Sequence, residues 1–298
     1  MPSLVGSEMC IRDRVLTPGG AGQLPRPAQT RIMTVANQKG GVGKTTTAVN
    51  LAAGLALHGL RVLVVDLDPQ GNASTALGID HRAQDIASVY ELLLGEVTLR
   101  EAMQQSPSQE GLFCVPATLD LAGAEIELVS LVARENRLRN ALSDETLTEF
   151  GIDYVFIDCP PSLGLLTVNA MVAAREVLIP IQCEYYALEG VGQLLRNIEL
   201  VQAHLNPALH VSTIVLTMYD GRTKLADQVA DEVRRHFGDK VLSAIIPRSV
   251  KVSEAPGYAM TIIEYDPGSR GAMSYLDAAR ELAMRARTAE PTADSSTS

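Results

Sequence analysis

The sequence predicts an α/β protein in which helices cover both faces of one doubly wound, mostly parallel sheet. Seven short runs rich in Val, Ile and Leu are almost continuously apolar, as strands buried on both faces are. Helical runs lie between them, and this alternation is typical of parallel strands joined by crossover helices. Apolar residues make up 46% of the chain and aromatic residues only 4%, so aliphatic side chains must form the core.

These runs assign the elements in chain order. The predicted strands are Arg31–Ala36, Arg61–Asp66, Leu112–Pro116, Tyr154–Asp158, Glu176–Ile181, Val211–Thr217 and Val241–Ile245. The predicted helices are Thr45–His58, Asp120–Leu131, Leu165–Ala173, Leu188–His204, Thr223–Phe237 and Ala272–Arg287. No linker composition interrupts residues 31–287, so we expect a single domain.

Both ends of the chain differ in composition from this region. Residues 1–30 show no apolar periodicity that continues, and the stretch Leu16–Gln29 is rich in Pro and Gly. The segment L-V-G-S-E-M-C-I-R-D also resembles the translation of a sequencing adapter. We therefore expect residues 1–30 to be a disordered or artefactual extension, and the small polar segment 288–298 to be a disordered tail.

The overall composition favours a cytosolic enzyme. No apolar run approaches the ~20 residues that a bilayer-spanning helix needs. The net charge of −10 argues against a generally basic nucleic-acid binder, although it leaves room for a local basic face. The cysteines are too widely spaced for a local zinc or iron–sulfur motif, so we expect reduced, buried thiols; they are Cys10, Cys114, Cys159 and Cys183.

A phosphate-binding loop lies between the first predicted strand and helix. The segment Gln38–Thr47 reads Q-K-G-G-V-G-K-T-T-T, in which glycines free the backbone N–H groups to converge on phosphate oxygens. Lys44 supplies a positive charge, and the hydroxyl of Thr45 follows where it can bind Mg²⁺. A second lysine, Lys39, precedes Lys44, which is the usual lysine of such loops. This extra lysine restricts the chain to a smaller class of phosphate-loop proteins.

Carboxylates follow two further predicted strands. Asp66 and Asp68 end V-L-V-V-D-L-D, and Asp158 ends Y-V-F-I-D, at the sheet edge where open α/β sheets bind their ligands. One role for these groups is to hold Mg²⁺ and to position an attacking water. The alternative is that each aspartate caps the turn or helix that follows it. Three such residues beside a phosphate-binding loop favour the metal and water roles.

At this point the chain resembles the ParA (Soj-like) partition ATPases of bacteria, which carry a deviant form of the Walker A loop. The resemblance covers residues 31–287 and is carried by K-G-G-V-G-K-T-T, V-D-L-D-P-Q-G-N, I-D-C-P-P-S-L-G, P-I-Q-C-E-Y-Y-A-L-E-G and I-I-P-R-S-V-K-V-S-E-A-P. The first segment alone would indicate only the wider class that includes MinD and the nitrogenase iron protein. The later segments are more specific.

The resemblance implies ATP and Mg²⁺ as cofactors and assigns roles to the motif residues. Catalytic roles fall to Lys39, Lys44 and Asp68, of which Lys39 reaches the nucleotide of a second chain and Asp68 positions water. Metal binding falls to Thr45, Asp66 and Asp158. Nucleotide contacts fall to Lys39, Gly40, Gly41, Val42, Gly43, Lys44, Thr45, Thr46, Pro247 and Ser249. This chain has Ser249 where many family members have Asn.

The resemblance also implies partners. The ATP-bound homodimer would bind double-stranded DNA non-specifically through Arg222, Arg248 and Lys251, and a ParB-type centromere-binding protein would control its turnover. The residues alone favour a solvated charged surface, because acids interleave this region: Asp220, Asp227, Asp231, Glu232 and Asp239. The implied function is an ATPase of weak intrinsic activity that drives chromosome or plasmid partition on the nucleoid in the cytoplasm, without a membrane partner.

Two other classes of protein share this phosphate-binding loop. A MinD-like ATPase acting at the membrane surface would need a C-terminal amphipathic helix with bulky apolar residues, but A-A-R-E-L-A-M-R-A-R-T-A-E offers mostly alanine. A reductase like the nitrogenase iron protein would need cysteines that share a cluster across a dimer, for which Cys114 and Cys159 are the candidates near strand ends. The partition ATPase is therefore preferred to both.

Overall fold

A computed structural model describes residues 23–83, 86–185 and 187–288. Its eight strands are β1 Arg31–Val35, β2 Val62–Asp66, β3 Gln104–Gln105, β4 Leu112–Val115, β5 Tyr154–Asp158, β6 Glu176–Gln182, β7 His210–Tyr219 and β8 Val241–Pro247. They form one sheet in the order β3-β4-β2-β5-β1-β6-β7-β8. All neighbours are parallel except β3, which pairs antiparallel with β4.

Helices connect these strands. They are α1 Lys44–Leu57, α2 Asn72–Ala76, α3 Val89–Leu94, α4 Leu99–Ala102, α5 Leu121–Val129, α6 Arg137–Ala141, α7 Asp144–Glu149, α8 Leu165–Ala173, α9 Ala187–His204, α10 Lys224–Phe237, α11 Val250–Glu254, α12 Ile262–Tyr265 and α13 Arg270–Thr288. Short 3₁₀ turns add Arg134–Asn136, Gly238–Lys240 and Ala255–Tyr258. The predicted α/β fold with a mostly parallel sheet is confirmed.

Alternate side chains of the strands pack into two separate apolar layers. On β2, Leu63 and Val65 join the layer covered by α3, α5, α8, α9 and α10. Val62 and Val64 join the opposite layer, which α1 and α13 cover. This two-sided burial is why the strands read as continuous apolar runs.

The elements that the sequence did not predict are short. The edge strand β3 has two glutamines and no apolar pattern. Helices α3 and α4 each begin with a capping box, formed by Ser88 with Glu91 and by Thr98 with Glu101. The spacing S-x-x-E or T-x-x-E could have located the starts of these two helices. In each capping box, the Ser or Thr side chain and the Glu side chain both accept hydrogen bonds from otherwise unpaired backbone N–H groups.

The chain contacts the domain before the predicted boundary at residue 31. Leu24 packs against the apolar layer under α1 and α13. The Thr30 hydroxyl donates a hydrogen bond of 2.6 Å to the carbonyl oxygen of Ile152. The ordered contacts therefore begin by Leu24, whereas residues 1–22 and 289–298, which hold most of the predicted extension and tail, lie outside the described residues.

A close approach of α1 to α13 yields a stability prediction. A Cβ added to Gly54 would lie 2.9 Å from the Cβ of Ala279, which is closer than real packing permits. We expect Gly54→Ala to destabilise the protein, because overpacking costs about 1–3 kcal/mol and outweighs the helix-propensity gain of roughly 0.5–1 kcal/mol. Gly192→Ala in α9 is the matched control, since its Cβ would meet only the end of Arg196 at 3.8 Å. Chemical denaturation of both variants tests this, and equal stabilisation by both would contradict it.

Candidate functional site

The loop between β1 and α1 has the backbone shape of a phosphate cradle. Gly41 and Gly43 have φ of 73° and 86°, a region that favours glycine, so the loop turns tightly before the helix. The side chain of Asn37 donates to the Pro180 carbonyl oxygen (2.8 Å) and accepts from the Lys39 backbone N–H (3.0 Å). These bonds fix the start of the loop to β6.

The first turn of α1 faces this loop without a side-chain cap. Gly43 occupies the N-cap position and makes no side-chain hydrogen bond there. Free N–H groups and the positive end of the helix dipole form an anion site at such a terminus. Lys44 adds a buried ammonium, which donates to the Lys39 carbonyl oxygen at 3.3 Å. Burial lowers the pKa of Lys44, and the negative charges of Asp158 and Asp68 partly oppose that shift.

Asp66 and Asp158 lie side by side at the carboxyl ends of β2 and β5, where they are register partners. Both side chains are buried. Asp66 accepts hydrogen bonds from the Ser74 N–H (2.8 Å) and hydroxyl (2.7 Å) and from the Asp68 N–H (3.2 Å). Burial raises the pKa of Asp66 to about 6, although these hydrogen bonds oppose the shift. Asp66 therefore organises the turn after β2 and has few acceptor positions left.

Asp158 is different, because neither of its carboxylate oxygens has a hydrogen-bond partner in the described part of the chain. Burial raises the pKa of Asp158 well above its ordinary value, and the neighbouring Asp66 charge raises it further. The Thr45 hydroxyl and Lys44 partly offset these effects, although the hydroxyl does not reach hydrogen-bonding geometry. A buried carboxylate without a partner is costly unless a ligand completes it.

This orphaned carboxylate fits a role for Mg²⁺. Within the described residues, no cluster of three or more His, Cys, Asp or Glu side chains could hold an ion by itself. Mg²⁺ usually keeps several waters and binds one or two protein oxygens together with substrate phosphates. The Thr45 hydroxyl and Asp158 could supply that donor set beside the cradle, and Asp66, which lies next to Asp158, could bind the waters of the ion.

Asp68 lies two residues beyond the end of β2, where its side chain is half-buried. One of its carboxylate oxygens accepts from the Gln70 N–H at 3.0 Å, which holds the turn before α2. The other oxygen makes no hydrogen bond to a described residue and is available to a water. The expected water-positioning role and the alternative turn-capping role are thus both compatible with its position.

Lys39 does not point into its own cradle. Its ammonium lies 3.0 Å from a carboxylate oxygen of Glu184, which follows β6. The other oxygen of Glu184 accepts from the Gln182 side chain at 2.6 Å and lies 3.4 Å from the Arg248 guanidinium. The sequence analysis did not identify Glu184 as a site residue. Three loops that are distant in sequence meet at Glu184, and no motif spacing predicts that contact.

Pro247 and Ser249 line an open groove of about 920 Å³ at the end of β7 and β8. The structure brings them together with two of the predicted DNA-binding residues, Arg222 and Arg248, and with the start of α13. None of the described residues that line this groove belongs to the phosphate loop. The groove therefore joins the predicted nucleotide contacts Pro247 and Ser249 to the predicted basic surface.

Each predicted DNA-binding cation has an acidic neighbour. Arg222 makes two hydrogen bonds to Asp220, of 2.8 and 2.7 Å, while its side chain is 86% exposed. Lys251 pairs with Asp266, and Arg248 with Glu184. Exposed pairs of this kind contribute little to stability, so a phosphate can displace the carboxylate at small cost.

Two features bear on the other classes that share the loop. The apolar side of α13 packs inside the domain, where Tyr275, Leu276 and Leu282 are buried. Among the described residues, no helix is long and apolar enough to cross a membrane. Cys114 and Cys159 are buried, and burial raises the pKa of both thiols, which opposes the thiolate form that binds iron.

Comparison with known proteins identifies close relatives. The sequence profile of a family described as AAA domain matches residues 30–211. The sporulation initiation inhibitor protein Soj of Bacillus subtilis is 53% identical over 253 residues, which cover 85% of this chain and 98% of that protein. The chromosome partitioning protein ParA of Caulobacter vibrioides is 52% identical over 258 residues, or 86% of this chain and 95% of that one.

Solved structures share the fold. The cobyrinic acid a,c-diamide synthase of Mycobacterium smegmatis, with bound ATP analog and magnesium, has a TM-score of 0.74 and 41% identity over 87% of this chain and 96% of its own. The septum site-determining protein MinD of Pyrococcus horikoshii, complexed with Mg-ADP, has a TM-score of 0.67 and 26% identity over 85% of this chain and 96% of its own. With identity near 50% to Soj and ParA over almost their whole length, the chain belongs to the ParA/Soj family of chromosome-partitioning ATPases.

Proposed function

We propose that this chain is a nucleotide-controlled switch: Mg-ATP builds a homodimer that binds DNA without sequence preference, and hydrolysis dissolves it. The observation that carries the proposal is the uncapped N-terminus of α1, where the charge of buried Lys44 interacts with the orphaned carboxylate of Asp158. An anion site and an unsatisfied acceptor side by side suit a phosphate with its metal ion.

The protein's own groups have separate tasks in this site. The loop from Lys39 to Gly43 and the first turn of α1 would direct N–H groups at the phosphates, and Lys44 would neutralise charge on the β- and γ-phosphates. Thr45 and Asp158 would hold the magnesium ion, which when bound neutralises the phosphate charge that develops during transfer. Asp68 would orient the attacking water from the turn after β2.

Slow intrinsic hydrolysis is part of the proposal. The three motifs that form the site, K-G-G-V-G-K-T-T, V-D-L-D-P-Q-G-N and I-D-C-P-P-S-L-G, contain no arginine. An arginine that contacts the transferring phosphate accelerates hydrolysis by roughly 10³–10⁵-fold in other P-loop enzymes. A partner that supplies or organises such a group would control turnover, and the resemblance to the partition ATPases favours a ParB-type protein in this role.

The assignment of Lys39 rests on its position at the rim. Its side chain is 40% exposed beside the cradle, so it could extend to a nucleotide in a second chain. The exposed cations Arg222, Arg248 and Lys251 would then contact DNA phosphates from both chains of the dimer. We place this activity on the nucleoid in the cytoplasm, without membrane attachment, since the apolar side of α13 is already used in packing.

DNA binding with and without nucleotide tests the proposal. We expect fluorescence anisotropy with a random-sequence duplex to show binding with a non-hydrolysable ATP analogue and little binding without it. The double variant Arg222→Ala plus Lys251→Ala should weaken binding to all sequences and flatten the salt dependence, because log K falls by about 0.9 per neutralised phosphate per log unit of salt. ATP-dependent dimerisation should be unchanged.

The matched control is Arg100→Ala plus Arg175→Ala. Arg100 and Arg175 are 62% and 59% exposed and, like Arg222 and Lys251, are paired with acids, but they lie toward the amino ends of the strands. The control carries the same change of net charge, so it should bind DNA as the unmodified chain does. Equal affinity and salt slope in all three proteins would remove Arg222 and Lys251 from the DNA surface.

A further inference from the structure

Glu184 connects the two surfaces that the proposed function uses. Its carboxylate lies 3.0 Å from the Lys39 ammonium through one oxygen and 3.4 Å from the Arg248 guanidinium through the other. Lys39 lies beside the nucleotide cradle, whereas Arg248 lines the groove at the end of β8. One acidic side chain is therefore the counter-ion of both cations.

The surroundings hold Glu184 in this position. The Gln182 side chain donates to the same oxygen that faces Arg248, at 2.6 Å. Asn37 bonds to the Pro180 carbonyl oxygen and to the Lys39 N–H, which keeps the lysine's loop against the strand that precedes Glu184. The Arg248 N–H bonds to the Tyr219 carbonyl oxygen at 2.9 Å, so the arginine's backbone is also tied to the sheet. The three charged groups thus meet from anchored backbone positions.

The contacts with Glu184 oppose the proposed roles of Lys39 in binding a second chain's nucleotide and of Arg248 in binding DNA. The contact with Glu184 at 3.0 Å competes with a contact from Lys39 to a phosphate in a second chain, because the same ammonium charge serves both. Arg248 carries less net attraction for a DNA phosphate while a carboxylate neutralises it. We propose that Glu184 is a positioning residue that restrains Lys39 and Arg248 on their own subunit in the nucleotide-free chain, so that the resting protein neither dimerises nor binds DNA readily.

The inference rests on the proposed function, because it gives Lys39 and Arg248 the targets named there. The charge-neutral variant Glu184→Gln keeps the size of the side chain and an oxygen that can accept from Gln182. The pairs are exposed, with 44% exposure at Glu184, so the restraint is modest and its loss should change affinities about 2- to 5-fold.

The first measurement needs neither dimer nor DNA. We expect Lys39 in full-length Glu184→Gln to react about 2- to 5-fold faster with a succinimidyl ester than in the unmodified chain, because an ammonium held by a carboxylate is less reactive. Mass spectrometry of the nucleotide-free protein gives the rate, with exposed Lys240 as internal reference. An unchanged Lys39 rate would overturn the restraint itself, whatever the fate of the proposed function.

The second measurement tests the consequence. With a non-hydrolysable ATP analogue, Glu184→Gln should dimerise at about 2- to 5-fold lower nucleotide concentration, and without nucleotide it should bind a random duplex about 2- to 5-fold more tightly. The DNA gain should vanish when Arg248→Ala is combined with it. Glu149→Gln is the control, since Glu149 is an exposed carboxylate paired with Arg100 near the amino end of β5.

The outcomes separate the two ideas. If the unmodified chain shows no nucleotide-dependent dimer, the proposed function fails, and the restraint fails with it as a regulatory device even when the Lys39 rate changes. If the unmodified chain dimerises but Glu184→Gln dimerises less readily, Glu184 acts within the ATP-bound assembly, and the inference is wrong while the proposed function stands. Equal behaviour of Glu184→Gln and Glu149→Gln also overturns it.

Discussion

Asp158→Asn is expected to stabilise the nucleotide-free protein and, at the same time, to reduce ATP hydrolysis at least ~100-fold. The stabilisation follows from the orphaned carboxylate, whose two oxygens have no partner among the described residues. A buried acceptor without a hydrogen bond costs roughly 1–3 kcal/mol, and more when it is charged. Asparagine leaves an unpaired amide but removes the charge, so we expect a gain of about 1–2 kcal/mol.

The stabilisation should depend on pH in a defined direction. Burial raises the pKa of Asp158 in the folded chain, so the folded state binds the proton more tightly than the unfolded state does. Protonated Asp158 therefore favours the folded state at acidic pH. This contribution to stability is lost as the pH rises from the pKa of the unfolded chain, about 4, through the raised pKa of the folded chain. The gain from Asp158→Asn should be small near pH 4 and larger at pH 7–8, as thermal melting of the nucleotide-free chain would show.

Asp153→Asn is the matched control at the other end of the same strand. Asp153 is also buried, but it accepts a hydrogen bond from the Arg61 N–H at 2.8 Å. Neutralising a carboxylate that is already satisfied should lower stability and leave ATP hydrolysis unchanged. If Asp158→Asn destabilises the chain as Asp153→Asn does, Asp158 has an internal partner and loses its place as a magnesium ligand.

The residues of this site were predictable because strand ends are predictable. Val62–Asp66 and Tyr154–Asp158 are so continuously apolar that their terminal aspartates had to emerge at one edge of the sheet, and they are register partners there. All seven predicted strands form, with ends within one residue of the prediction except that β7 and β8 each extend two residues further, to Tyr219 and Pro247 at the groove. The pairing of β7 with β8 shifts register before these ends, and the apolar pattern does not reveal such a shift.

What could not be predicted depends on contacts between distant loops. The hydrogen bonds from Ser74 to Asp66 distinguish this carboxylate from Asp158, yet the two look alike in sequence. Glu184 becomes a shared counter-ion only because Lys39 and Arg248, in the segments that follow β1 and β8, both contact it. Patterning predicts which strand end a residue occupies, but the partner of an individual oxygen is set by the packing of the loops that follow.

Asp68→Ala and Lys44→Ala are expected to fail in opposite ways. Asp68 lies outside the cradle, so Asp68→Ala should keep nucleotide affinity and accumulate ATP-bound dimer, while hydrolysis falls by about 10²–10⁴-fold as a water-positioning group is lost. Lys44 is the buried ammonium beside the loop. Its removal deletes a charge-assisted hydrogen bond of about 1.5–3 kcal/mol, so we expect roughly 10- to 150-fold weaker nucleotide binding and no dimer.

Asp68→Asn separates the chemical role of Asp68 from its structural one. Asparagine can still accept from the Gln70 N–H, which Asp68 now does at 3.0 Å, so the turn before α2 should survive while the negative charge is lost. Light scattering in the presence of Mg-ATP measures dimer formation, and the rate of phosphate release measures turnover. We expect Asp68→Asn to match Asp68→Ala in both. If Asp68→Asn hydrolyses ATP normally and only Asp68→Ala is inactive, the residue holds the turn and some other group positions the water.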